Sequence, residues 1–204
     1  LKLKRLGIIP SLPRIFGVQS EHADPVYRYY SVSEAKKRRY QPVAVTPSVA
    51  QAAMIGNPVS FPRVRYFAEQ YEKIGGPGSF QVIQVKEQDI IEGMLLANRH
   101  GHISCTQGGE CLAGLRAAVE LGLIEPSEEA ILDATAHHLK FIGFQEMYFT
   151  NTFPAEYGIT PRSDFVNAPE AIIDDTDKAI LSPADYTAKA AKAVVTRLGL
   201  TGKG

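Results

Sequence analysis

Residues 12–25 read Leu12-Pro13-Arg14-Ile15-Phe16-Gly17-Val18-Gln19-Ser20-Glu21-His22-Ala23-Asp24-Pro25, and this stretch decides the fold class. Arg14 to Gln19 is a short apolar run of strand type, ended by the polar pair Ser20-Glu21. Asp24-Pro25 then has the chemistry of a helix start. Asp24 is suited to the N-cap, and Pro25 to the first helical position, where its missing N–H would have had no partner anyway. This is a β-then-α step, and the step recurs downstream. Phe80 to Val85 reads as a mostly buried strand after the Gly75-Gly76-Pro77-Gly78 turn, followed by a helix over Glu87 to Arg99 with Ile90, Ile91, Met94 and Leu95 at helical spacing. His102 to Cys105 is expected as a strand before a helix over Gly109 to Gly122. Ala130 to Asp133 is expected as another strand, with helix from His137 onward.

Strands alternating with helices predict the α/β class: a three-layer parallel sheet with helices on both faces and ligand-binding loops at the carboxyl ends of the strands. Between the first two steps, Val49 to Ile55 is expected as a small-residue helix stopped by Gly56-Asn57-Pro58, and Ser60 starts another helix to about Tyr71. The first seven residues look like the end of an amphipathic helix whose beginning is absent, which suggests a missing upstream segment. After Met147 the pattern loosens. Residues 151–204 are expected as an extension packing on residues 1–150, with Ser182-Pro183 capping a final helix from about Ala184 to Leu198.

The 204 residues carry 22 basic and 22 acidic side chains and are 45% hydrophobic, enough for a packed core with no net field toward nucleic acid or anionic membrane. The only cysteines, Cys105 and Cys111, have neither zinc-ligand nor disulfide-framework spacing, so reduced thiols, no metal and a cytoplasmic location are expected. No apolar run reaches the about 20 residues of a membrane span.

Three stretches could carry chemistry. Cys105-Thr106-Gln107-Gly108-Gly109-Glu110 stands where a strand gives way to a helix, so free N–H groups and glycines could cradle an anion or a cofactor ring, or simply make a tight turn. Asp133-Ala134-Thr135-Ala136-His137-His138-Leu139-Lys140 offers a hydroxyl and two histidines. Adjacent helical residues point about 100° apart, which disfavours a shared metal and leaves capping or core roles as the simpler reading. Ala50 to Pro58 combines small side chains, which permit close approach, with Asn57 as a hydrogen-bonding group.

In this order these stretches resemble the threonine synthase family of fold-type II pyridoxal phosphate enzymes. Leu12 to Gln19 with Ala23-Asp24-Pro25 resembles the strand and helix after the family's glycine-rich phosphate loop. Ile55-Gly56-Asn57-Pro58-Val59-Ser60-Phe61 is similar to its "IGNPxSW", Gly101 to Leu115 to the strand and helix over the cofactor, and Ala134 to Lys140 to "LTGHGLK". The resemblance implies a tryptophan synthase beta-like fold, with residues 1–150 as the carboxyl-terminal part of the catalytic domain. It implies pyridoxal 5'-phosphate as cofactor, held by Thr135 at the pyridine nitrogen, with Thr106, Gln107, Gly108 and Gly109 beside the ring. Ala50 and Asn57 would lie on the substrate side.

The implied reaction is conversion of O-phospho-L-homoserine and water to L-threonine and phosphate. The family's Schiff-base lysine belongs to an "SFKD" motif that is not found here, so no catalytic residue is assigned in this chain. As given it is expected to be inactive alone and to need a missing amino-terminal part, in an assembly that could be a homodimer. The chain also departs from the family's "ATAIRIG" at Ala50 to Gly56 and from "EPxSA" at Cys105 to Gly109. A paralogue such as a cysteate synthase, or a noncatalytic domain of the same fold, are the alternatives.

Overall fold

The computed structural model describes residues 1–166 and 171–200. The chain divides into two units, Leu1–Val166 and Asn167–Gly204. The first opens on a single helical turn, α1 (Lys2–Arg5), and then forms β1 (Ile15–Ser20), α2 (Pro25–Tyr30), α3 (Phe61–Gly75), β2 (Phe80–Val85), α4 (Glu87–Arg99), α5 (Thr106–Glu120) and α6 (Ile142–Thr150). In the second, α7 (Asp175–Ile180) precedes α8 (Pro183–Arg197), and the Ser182 hydroxyl accepts from the Asp185 amide as the sequence predicts for an N-cap.

The strands β1 and β2 are parallel, with Ile15 opposite Phe80 and Ser20 opposite Val85. Side chains alternate across a strand, so the two faces separate by parity. On one face Gln19 and Gln84 meet α2. The Gln19 side-chain Oε1 accepts from the Val26 and Tyr27 amides at 2.9 Å each, and Gln84 donates its Nε2 to Asp24 at 2.6 Å. Asp24 holds the N-cap position, but its side chain bonds Arg28 instead, and Gln19 does the capping. On the other face Val18 meets α5, where a Cβ at Gly114 would collide with it.

The core lies on this second face. Val49, Ala50, Ile83, Val85, Ile90, Ala113 and Ala118 form one buried cluster, and Ile91, Met94, Leu95 and Tyr148 form another that Phe153, Ile159 and Phe165 close. At roughly 25 cal/mol per Å² of apolar area removed from water, such clusters dominate stability. The α4–α5 contact is close because glycine faces backbone. A Cβ at Gly93 would be 2.6 Å from the Gly109 carbonyl oxygen, and one at Gly109 would collide with the Ile90 carbonyl.

Four expectations fail for definable reasons. Val49 to Ile55 is not an α-helix: only Gln51–Ala53 forms a 3-10 turn. The Val49 and Ala50 amides are taken by the Glu87 carboxylate (2.6 Å) and the Ser48 hydroxyl (2.9 Å), and Gly56 is tied to Val43. His102 to Cys105 makes only one antiparallel bridge, Ser104 to His137, because Asn98 takes the Ser104 amide. Ala130 to Asp133 makes no strand, and Ile131 is 99% exposed. The glycine-bearing segment 106–109 is no loop but the first turn of α5. Among the described residues the sheet therefore has two strands, and the observed class is mixed α/β.

Candidate functional site

The site is built where β1 and β2 end and α4 and α5 begin. Ser20, the last residue of β1, donates its hydroxyl to Glu87, the first residue of α4. The second Glu87 oxygen accepts from the Val49 amide. The Ser48 hydroxyl lies 3.5 Å from that of Ser20, and His22 Nδ1 sits 2.6 Å from the Pro47 carbonyl and 3.8 Å from Glu87. Glu87 is 1% exposed, so this hub fastens the end of β1, the Ser48–Ala50 turn and the start of α4 in a medium where an unpaired carboxylate would be costly.

The first turn of α5 packs beside the hub. Thr106, Gln107, Gly108, Gly109 and Glu110 are all buried. Three of their polar atoms have no hydrogen-bond partner: Thr106 Oγ1, Gln107 Nε2 and Glu110 Oε1. Buried polar groups are almost always paired, and each orphan costs about 1–3 kcal/mol. Burial, with Glu87 nearby, pushes the Glu110 carboxyl up to about 7, against the pull of the Ser20 amide. Burial likewise raises the Cys111 thiol, and neither cysteine is paired.

The late motif reaches the same place. The bridge between Ser104 and His137 sets the Thr135 hydroxyl 3.9 Å from Cys105 Sγ, at the threshold of α5. Thr135 is exposed. His137 accepts the Leu139 amide on its Nδ1 and so caps the following 3-10 turn. His138 is buried against Asn98 Nδ2 at 3.2 Å, and burial first, then His137, lowers its pKa. The histidines thus have the capping and core roles. A cavity of about 680 Å³ opens beside Ser104, Gly108 and Ala134, with His100 and His102 on its wall.

Of the residues singled out from sequence, Thr106 to Gly109, Ala50 and Thr135 converge: Ala50 sits in the core cluster with Ala113 of α5, and Thr135 touches Cys105. Asn57 does not join them. It is exposed and accepts from the Tyr40 hydroxyl at 3.1 Å, while Tyr40 stacks on Phe61. Sequence reasoning missed the hub. Its signals were Glu87 at a strand-to-helix turn and Ser48 after Pro47, but nothing local says that these residues meet. Among the described residues no group of His, Cys, Asp and Glu could hold a metal ion, and no helix is long and apolar enough to cross a membrane.

No family model matches the chain. It is 28% identical over 138 residues to threonine synthase 2, chloroplastic, of Arabidopsis thaliana, covering 68% of this chain and 25% of that protein. It is 30% identical over 138 residues to the threonine synthase of Methanocaldococcus jannaschii (66% of this chain, 31% of that protein). It is 29% identical over 145 residues to that of Methanosarcina acetivorans (68% and 32%). The chain spans about a quarter to a third of the length of these relatives. These matches make the chain, over about two thirds of its length, a homologue of a portion of the threonine synthases.

Proposed function

We propose that the chain forms one wall of a pyridoxal 5'-phosphate site in a threonine synthase-type enzyme, which converts O-phospho-L-homoserine and water to L-threonine and phosphate. The observation that carries this reading is the Ser104–His137 bridge, which brings the Thr135 hydroxyl to the first turn of α5. The residues present fit such a group on two counts. The Thr135 hydroxyl is exposed and has only a long sulfur contact, so it is free to hydrogen-bond a ring nitrogen. The first turn of α5 holds unspent hydrogen-bonding capacity at Thr106 and Gln107. When bound, the cofactor supplies an electron sink for chemistry at the amino-acid carbons.

In this reading Thr135 orients the ring, and a hydroxyl there rather than a carboxylate leaves the ring nitrogen largely unprotonated. Thr106 to Gly109 form the floor beside it, and their glycines let α5 sit close to α4. Ala50, fully buried in the core, and Asn57, bonded to Tyr40 away from this turn, are given no part in it. The cofactor-binding lysine and the phosphate-gripping groups come from a part of the protein not among these 204 residues, so this chain alone is inactive. The two strands belong to a wider parallel sheet. The Ile15 and Glu21 amides bond β2, so the alternate amides of Phe16 and Val18 point to the other edge of β1. Phe16 and Val18 also line a groove of about 620 Å³ together with Ile131 and Leu132.

The test is product analysis on the protein that carries this chain. Phosphate and threonine released from O-phospho-L-homoserine are expected. Turnover of phosphoserine with sulfite instead would point to a cysteate synthase-like paralogue, and no pyridoxal phosphate absorbance at all would point to a noncatalytic domain.

A further inference from the structure

Glu110 has no counterpart among the roles assigned above, yet it sits at their junction. It is 5% exposed on the second turn of α5, four residues after Thr106 and three after Gln107, so the three unpartnered buried atoms share adjoining positions on one helix surface. The Ser20 amide points at its carboxyl, and among the described residues the charge acting on it from the elements packed against α5 is that of Glu87. Among the described residues no lysine or arginine forms an ion pair with either carboxyl. His22 faces Glu87 from the turn after β1, and on the same helix Cys111 feels the charge of Glu110. Both oxygens of Glu87 accept hydrogen bonds, from Ser20 and Val49, whereas Oε1 of Glu110 accepts none. A buried carboxyl with one oxygen short of donors and a second buried carboxyl nearby is better accommodated with its proton on.

We propose that Glu110 is a positioning residue that holds a proton inside the fold: as a neutral acid it keeps the first turns of α5 seated against Ser20, Glu87 and the Ser48–Ala50 turn, and its ionisation unseats them. The carboxyl is raised from 4.5 to about 7 by folding. A group raised on folding contributes stability that is fully present below its unfolded value and is lost as pH rises through its folded value. The loss should therefore run from about 4.5 to about 7, where the folding equilibrium falls by roughly 100-fold. The consequence for the site rests on the function proposed above, but the latch itself does not.

Urea unfolding of the 204-residue chain between pH 5 and 8 tests it. The wild-type midpoint should fall as pH rises. Glu110→Gln, which keeps the shape and cannot ionise, should flatten that fall and be more stable than wild type at the alkaline end. An unchanged slope in Glu110→Gln, or destabilisation by the same amount at every pH, would overturn the proposal. Should Glu110→Gln not fold, infrared spectra of the wild-type chain decide. A protonated carboxylic acid band that persists well above the ordinary glutamate range and vanishes near neutral pH supports the latch, and its absence sinks it. A pH-dependent midpoint together with an enzyme whose cofactor ignores Thr135→Val would leave the latch standing and remove the functional reading.

Discussion

The start of α5 and the segment 130–135 both stand where the sequence expects a strand to hand over to a helix, and they turned out opposite in character. At the start of α5 every residue from Ser104 to Glu110 is buried, the helix begins three residues early, and glycine packs on backbone. Along 130–135 every residue is exposed, there is no strand, and the segment is tied down by the Ser104–His137 bridge beyond it and the Thr135–Cys105 contact. The difference shows what an apolar strand pattern is worth without a partner. Helix α5 finds its neighbours in α4 and the sheet, whereas Ile131 and Leu132 pair with no strand among the described residues.

That contrast can be tested from the buried side outward. Gly109→Val should have the largest effect, a loss of about 3 kcal/mol or more, because the added atoms meet the Ile90 carbonyl and Met94 backbone rather than a flexible side chain. A small loss by urea denaturation would mean the α4–α5 contact is looser than described. Next, Glu87→Ala should cost about 3 kcal/mol by stranding the Val49 amide and Ser20 hydroxyl in a buried place. Stability should also decline by about 3 kcal/mol as pH rises from 4.5 to about 7, following the raised Glu110 carboxyl, and a calorimetric pH series checks the sign.

On the exposed side the effects should be smaller and of another kind. Thr135→Val should leave unfolding within about 0.5 kcal/mol of wild type while weakening cofactor binding or shifting its absorbance in the protein that carries this chain. Ile131→Lys should leave the stability of these 204 residues unchanged, since a side chain 99% exposed has no packing to lose. The same substitution should be damaging in the whole protein, where the proposed wider sheet would bury it. Equal tolerance in both settings would argue against that sheet.

Much of the fold was legible because its signals are local. The apolar runs from Ile15 to Gln19 and from Phe80 to Val85, the proline and serine at the start of α8, and the helical spacing of Ile90, Ile91, Met94 and Leu95 each lie within one element and came out within a few residues. The site was legible only as separate pieces: Thr106 to Gly109, Ala50 and Thr135 could be picked out, but not that Cys105 would lie between two of them. The failures share a cause. Whether Ala130 to Asp133 pairs, or Val49 to Ile55 winds into a helix, depends on which distant donor or acceptor reaches it first.

By itself, then, the sequence determined the types of β1, β2 and the main helices, the α/β class and the kinship with threonine synthases, because periodicity, caps and motif order are properties of neighbouring residues. Only the tertiary structure decided that Asn57 stands apart, that the glycines of α5 serve helix packing, and that Glu110 is buried within reach of the Glu87 charge. Those outcomes depend on backbone approach and on the burial of charge across 23 positions of chain, and no window of sequence contains them.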